Sequence, residues 1–325
     1  MRYEPNFTLN VIKDELFETQ IKELENELAK YANFGEFASF DKTKIHYEYF
    51  LCENARGNIV IVHGLSEFTK KFYEFTYYAL NLGYNVFIYD QRCHGLSDRL
   101  TNNVDILHVD NFNDYALDLE IFIEKIVIPT ENKPIFLYAH SMGGAVSALY
   151  LNKYSDKIKK AVFSAPLFIP VVNNVSTFLA RESVRLGKVL LGPKRRFFLS
   201  NDFDPDIKFN EKYGSSEPRF YHNINLRKQN IKYQSSPMSF GWVFNSLTVH
   251  HAILKKKFLN KIKTPILIFS AEKDNTVKNE PQYYFAKHCE NCEIVNIENT
   301  THAILASKTE MLEKVLKSTF DYFSN

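Results

Sequence analysis

No stretch of the 325 residues approaches the roughly 18 consecutive apolar residues that a membrane-spanning helix requires. The opening Met1-Arg2-Tyr3-Glu4-Pro5 has no apolar core of the kind a secretory leader needs, so a cytoplasmic location is the expectation. Charge of one sign is missing too: 40 Lys and Arg face 38 Asp and Glu, a net +2, which argues against a nucleic-acid partner. Cysteine is scarce. Four in a chain this long fit a reducing compartment better than a disulfide scaffold. Cys289-Glu290-Asn291-Cys292 lacks two further ligands at zinc spacing, and it lies between a helix and a strand rather than opening a helix as a redox motif would. It reads as incidental. No internal repeat or low-complexity run is present. The 45% hydrophobic content suffices for one large domain with an insertion.

What is present centres on Phe136-Leu137-Tyr138-Ala139-His140-Ser141-Met142-Gly143-Gly144. A β-prone run leads in, and Ala145 to Leu151 leads out with a helical pattern. A serine between strand and helix, with small residues two positions to either side, is the layout of a nucleophile elbow. The serine must adopt a strained backbone to point its Oγ outward, so strand and helix crowd around it and leave no room for larger side chains. Ala139 stands where glycine is usual, a departure of one methyl group.

An acid and then a histidine should follow, each after a later strand. Thr264 to Ser270 is a short apolar run that reads as a buried parallel strand, and it leads to Glu272-Lys273-Asp274. Cys292 to Ile297 is another, followed by Glu298-Asn299-Thr300-Thr301-His302-Ala303. Asp274 and His302 thus sit just past strand ends, where open α/β sheets keep their chemistry. Asn58 to Val62 is an early strand followed by His63-Gly64-Leu65-Ser66-Glu67. In this architecture one oxyanion-binding N–H comes from the residue after the nucleophile, Met142, and the other from this loop, at Leu65. Gly64 lets the loop approach a reacting carbonyl. His63 and His140 are expected to hydrogen-bond locally and to take no part in proton transfer.

Together, His63-Gly64-Leu65, Tyr89-Asp90-Gln91-Arg92-Cys93-His94-Gly95-Leu96-Ser97 and the elbow resemble the bacterial lysophospholipase and monoacylglycerol lipase branch of the α/β hydrolases. His108 to Tyr115 and the ending around His302 are similar to the lysophospholipases within it. The likeness spans about residues 44–324, with Cys93 and Ala303 as departures where a glycine and an acidic residue are usual. It implies a mostly parallel sheet flanked by helices, with a mainly helical cap over the site.

The expected organisation is a helical N-terminal extension over 1–42, a hydrolase core over 43–166 and 264–325, and the cap over 167–263. Asp14 to Lys30 has apolar residues at helical spacing, and Thr43 to Leu51 alternates like an antiparallel strand. The hundred or so residues before Thr264 far exceed the 2 to 6 of an ordinary connection. Phe168 and Phe178 are candidates to face an acyl chain. Residues 181–232 carry twelve Lys or Arg against six Asp or Glu, a local +6 (12 − 6). That is either a solvated helix face or an interfacial segment meeting anionic lipid.

The expected activity is serine-dependent ester hydrolysis without metal or cofactor, most specifically as a lysophospholipase. A monoacylglycerol lipase, thioesterase or general carboxylesterase remains open, as does a non-catalytic binding protein on the same scaffold. An aminopeptidase would need acidic residues facing the site from the cap, which is basic. Serine at 141 excludes the epoxide and haloalkane hydrolases, which need a carboxylate there.

Overall fold

The computed structural model describes residues 1–172, 175–211 and 213–325. Eight strands form one sheet: β1 Asn33–Ala38, β2 Lys44–Phe50, β3 Asn58–Val62, β4 Asn85–Tyr89, β5 Ile135–His140, β6 Lys160–Ser164, β7 Ile266–Ala271 and β8 Cys292–Ile297. Their spatial order is β1-β2-β4-β3-β5-β6-β7-β8. β2 runs antiparallel to β1 and β4, and the remaining pairs are parallel.

Every residue of β3, β4, β5 and β7 is buried, as central parallel strands covered on both faces must be. Alternate side chains feed two cores. Val60, Val62, Leu137 and Ala139 pack with Tyr115, Leu119, Val146 and Phe285 on one face. Ile59, Ile61, Phe136 and Tyr138 pack with Phe75, Leu80, Leu316 and Phe320 on the other. The second core also receives the N-terminal helix Phe17–Ala29, through Phe17, Ile21, Leu24 and Leu28 at helical spacing.

Two boundaries differ from the sequence reading. The extension assigned to 1–42 is not all helix, because Asn33–Ala38 is the edge strand β1, paired along β2 from Asn33 with Tyr49 to Ala38 with Lys44. β1 buries a single side chain, Phe37, so its alternation is weak. The segment 167–263 is likewise not all insertion. Leu167 and Phe168 at its start, and Ile253, Leu259 and Ile262 near its end, are buried in the first core. Between them lie helices Thr177–Leu191, Glu217–Lys228 and Phe240–Thr248.

Candidate active site

β5 delivers the chain into Ser141, whose φ of 51° and ψ of −115° lie outside the regions favoured by L-residues, and helix Met142–Tyr154 starts at the next residue. Such a backbone costs on the order of 1–3 kcal/mol and persists only where its surroundings over-determine it. They do so here. The Ser141 amide donates to Ser164 O at 3.0 Å, while Ser141 O accepts from Leu167 N at 2.8 Å and Gly144 N at 2.9 Å. A Cβ on Gly143 would stand 1.9 Å from Val62 O, and one on Gly144 would stand 2.4 Å from Pro166 Cβ, so the crowding excludes larger residues. Ala139 is accommodated, fully buried within β5.

His302 lies beyond β8 with Nε2 2.8 Å from Ser141 Oγ and Nδ1 2.7 Å from Asp274 Oδ2. Asp274 lies beyond β7, and its other oxygen accepts from Thr276 N at 2.8 Å and Val277 N at 3.0 Å. Burial pushes its carboxyl up, but the hydrogen bond and charge of His302 and the two amides outweigh this and leave it below its ordinary value. An ionised Asp274 can only accept, so Nδ1 carries the proton and Nε2 is free to take the one on Ser141. The two loops are tied by Lys273 N donating to Thr300 O at 3.0 Å. Glu272 faces elsewhere: its carboxylate accepts from Asn299 N at 2.9 Å and pairs with Lys273.

The third wall is the loop after β3. A Cβ on Gly64 would lie 3.1 Å from Ser141 Cβ, so the loop passes directly beside the serine. Among the described residues, neither the Leu65 nor the Met142 amide has a hydrogen-bond acceptor, which leaves both free to bind an oxyanion. His63 is fully buried, with Nδ1 donating to Gly64 O at 2.7 Å and Nε2 accepting from Gln91 N at 2.9 Å. Burial drops it to about 4. His140, also brought down to about 4 by burial, donates from Nδ1 to Ser164 O at 3.1 Å. Both rings are therefore neutral near pH 7 and committed to the backbone.

A residue that the sequence did not single out shapes this wall. Glu67 accepts the Gly64 amide at 2.5 Å and Lys71 Nζ at 2.5 Å, with His140 Nε2 3.7 Å away. Burial raises its carboxyl, but Lys71 and His140, together with the Gly64 amide, bring it down to about 2. The available signal was the four-residue spacing of Glu67 and Lys71.

Phe168 and Phe178 do not meet at the site. Phe168 is fully buried and stacks on Phe285 at 4.7 Å between ring centroids, because the chain turns back into the body right after β6. Phe178 is 62% exposed, with the Arg181 guanidinium 5.0 Å over its ring. The basic excess of 181–232 is also partly spent internally. Arg219 is buried against Asp14 and Glu74, Arg227 caps carbonyls at Tyr233, Gln234 and Ser235, and Arg196 pairs with Asp202. Cys289 and Cys292 are free thiols, and burial pushes Cys289 up to about 11 and Cys292 higher still. Among the described residues no group of three His, Cys, Asp or Glu side chains could hold a metal, and no helix is long and apolar enough to cross a membrane.

Residues 53–309 match the protein-family model described as Serine aminopeptidase, S33. The chain belongs to that family of α/β hydrolases. Lysophospholipase L2 of Escherichia coli (strain K12) is 26% identical over 298 residues, covering 89% of this chain and 87% of that protein. Monoglyceride lipase of Saccharomyces cerevisiae is 33% identical over 145 residues, covering 41% of this chain and 44% of that one. Among solved structures, a soluble variant of the yeast monoglyceride lipase bound to a substrate analog superposes with a TM-score of 0.70 at 19% identity, covering 90% of this chain and 96% of that one. A thermostable carboxyl esterase from Bacillus coagulans gives 0.71 at 13%, covering 90% and 98%; likenesses at these identities speak for the fold alone. The relatives support a hydrolase of lipid esters.

Proposed function

We propose that this hydrolase cleaves the ester of single-chain lipids, lysophospholipids foremost, through an acyl-enzyme on Ser141. The observation that carries the reading is the continuous hydrogen-bonded run Ser141–His302–Asp274 on a strained elbow beside two free amides. Ser141 Oγ attacks the ester carbonyl carbon as its proton passes to His302 Nε2. The carbonyl π electrons move to the oxygen, which the Leu65 and Met142 N–H groups receive, each worth about 3 kcal/mol in the transition state. The acyl C–O bond then breaks and the imidazolium protonates the departing alcohol. Water, deprotonated by His302, attacks the acyl-enzyme, releasing the fatty acid and restoring Ser141. Asp274 holds the ring tautomer and stabilises the imidazolium.

The insertion between β6 and β7 is read as the cap. Its helix Thr177–Leu191 packs inward through Val184 and through Gly187, where a Cβ would stand 2.3 Å from the Phe240 ring. Outward it presents Phe178, Leu186, Val189 and Leu190, with Val189 75% and Leu190 71% exposed, followed by the exposed Lys194 and Arg195. Apolar side chains rimmed by cations suit an anionic lipid surface. Phe178 then anchors the cap at that surface instead of lining an acyl channel.

A monoacylglycerol lipase shares every element of this reading, and the yeast and human monoglyceride lipases are relatives. The aminopeptidase in the family description is less favoured, because Glu67, the carboxylate beside the serine, is already bound to Gly64 and Lys71. Long-chain lysophospholipids, monoacylglycerols, diacyl phospholipids and acetyl or butyryl p-nitrophenyl esters assayed side by side decide the class. Fast turnover of the first two and slow turnover of diacyl lipid is the expected result. A preference for acetyl or butyryl esters would leave a general carboxylesterase.

A further inference from the structure

The N-terminal segment precedes the family match yet reaches the catalytic end of the protein. Its point of contact is Asp14, in the turn Asp14–Leu16 ahead of the first helix. One carboxylate oxygen of Asp14 accepts from the Ser216 hydroxyl at 2.7 Å and from Arg219 Nη1 at 2.5 Å. The other accepts from the Thr309 amide at 3.2 Å, and the Asp14 amide donates to Thr309 Oγ1 at 3.0 Å. Arg219 is 3% exposed and also donates to Glu74 at 2.6 Å and to the Ile12 carbonyl at 2.7 Å, with its guanidinium 4.6 Å over the Phe17 ring. One side chain thus joins the N-terminal segment, the body helix Tyr73–Asn81 and the cap helix Glu217–Lys228 on which it stands.

Just before that cap helix the chain runs along the loop of His302. Ser216 N donates to Ala306 O at 2.9 Å, and Lys308 N donates to Gly214 O at 2.7 Å. Ser215 bridges Ser307, and its hydroxyl lies 3.4 Å from that of Thr301, the residue before His302. A Cβ on Gly214 would stand 2.7 Å from Asn299 O, so the two segments meet backbone to backbone. Residues 214–216 therefore brace 299–308, and Asp14 grips the brace at Ser216 and the far end of the loop at Thr309.

We propose that the N-terminal segment is a strap that sets the position of His302 through the cap, with Asp14 and Arg219 as positioning residues for the His302–Ser141 hydrogen bond. The inference rests on the reading of His302 as the proton carrier. A buried guanidinium held by fixed acceptors has one favourable placement, and it transmits that placement to the first turn of its helix. Neither Asp14 nor Arg219 touches the reacting atoms. Their effect is geometric, and a displacement of about 1 Å at a reacting group can cost on the order of a hundredfold in rate.

The test uses the full chain carrying Asp14→Ala, Asp14→Asn, Arg219→Met or Ser216→Ala. For each, kcat and KM on a soluble p-nitrophenyl ester and the rate of fluorophosphonate labelling are measured at a temperature where circular dichroism shows the fold intact. Asp14→Ala and Arg219→Met are expected to lower kcat and labelling roughly tenfold or more with KM within about twofold, since the loss is in the placement of His302 and not in binding. Asp14→Asn, which keeps one acceptor oxygen for Ser216 and Arg219 but loses the one that faces the Thr309 amide, should recover part of the loss. Folded variants with wild-type kcat and labelling, differing only in melting temperature, would overturn the strap. Should the larger changes unfold the protein, Ser216→Ala, which removes one hydroxyl from the same linkage, decides by the same criterion. A wild-type protein that the fluorophosphonate does not label would instead remove the underlying reading; a labelled wild type with unaffected variants removes the strap alone.

Discussion

The Glu67 carboxylate accepts the amide hydrogen of Gly64 at 2.5 Å, which locks the peptide immediately before the one that presents the Leu65 N–H to the site. The same carboxylate holds the half-buried Lys71, so loop and charge pair form one unit. Glu67→Ala should leave the Gly64 amide and the Lys71 ammonium without their partner. The expected result is a kcat lowered by roughly ten- to a hundredfold, with a smaller change in KM, because a misplaced oxyanion donor is lost mainly in the transition state. Steady-state kinetics on a soluble ester check this, and unchanged kcat would show that the loop holds its shape unaided.

Asp274 and Glu272 stand two residues apart in one turn but differ in what they face. Asp274→Asn should lower turnover by about 10⁴, as loss of the tautomer-setting acid does in other serine hydrolases. Glu272→Gln should stay within about twofold of wild type, since surface changes away from the reacting groups alter little. Parallel kcat/KM measurements settle the assignment. Activity surviving Asp274→Asn and lost with Glu272→Gln would move the acid to position 272.

The buried histidines make stability depend on pH. His63 and His140 are held at about 4, principally by burial, against an ordinary 6.5. Both bind protons less tightly in the folded state, so their contribution is complete above about pH 6.5 and is lost as pH falls through about 4, worth at most about 3 kcal/mol each. Glu67 adds a lower step, present above its ordinary 4.5 and lost as pH falls through about 2. Asp90 acts in the opposite sense. It accepts from the Thr69 and Leu96 amides at 2.7 Å, but burial raises it to about 6, so its contribution is present below its ordinary 3.8 and lost as pH rises through about 6. With His94, which burial also lowers, the histidines outweigh Asp90 and Asp118, whose carboxyls burial raises, so the urea midpoint should fall from pH 7 to pH 4.5, and less steeply in His140→Gln. A midpoint that rises over that interval would contradict the burial of both rings as neutral groups.

The outward apolar side chains of helix Thr177–Leu191 predict a selective loss. Val189→Asp with Leu190→Asp changes two exposed positions and should leave the melting temperature nearly unchanged. Turnover of lysophospholipid in anionic vesicles should drop roughly tenfold, while turnover of a soluble ester stays at the wild-type level. Added salt should weaken vesicle activity in the same selective way, because it screens Lys194 and Arg195. Equal loss on both substrates would assign these residues to folding.

The strand–serine–helix turn and the meeting of Asp274 and His302 with Ser141 were legible in the sequence because each follows an apolar strand-like run, and strand order alone brings such loop ends together. Ser141 was the clearest, since Gly143 and Gly144 are demanded by contacts with Val62 and Pro166 that no larger residue survives. β1 was not legible: Asn33–Ala38 buries only Phe37, and an edge strand needs no more. Phe168 was misplaced because a phenylalanine after a strand end reads the same whether it faces a cavity or, as here, stacks on Phe285. The net charge of 181–232 overstated the free cations, since the partners of Arg219 are Asp14 and Glu74, 205 and 145 residues away in sequence. Pairings that distant leave no local pattern.

Fluorophosphonate labelling tests the central claim most directly, because the probe reports a serine activated by its histidine without requiring the natural substrate. Wild-type protein should be labelled stoichiometrically at Ser141, with no labelling of Ser141→Ala and labelling of folded His302→Ala slowed by about 10³ or more. Labelling at another serine, or a His302→Ala variant labelled at the wild-type rate, would contradict the account.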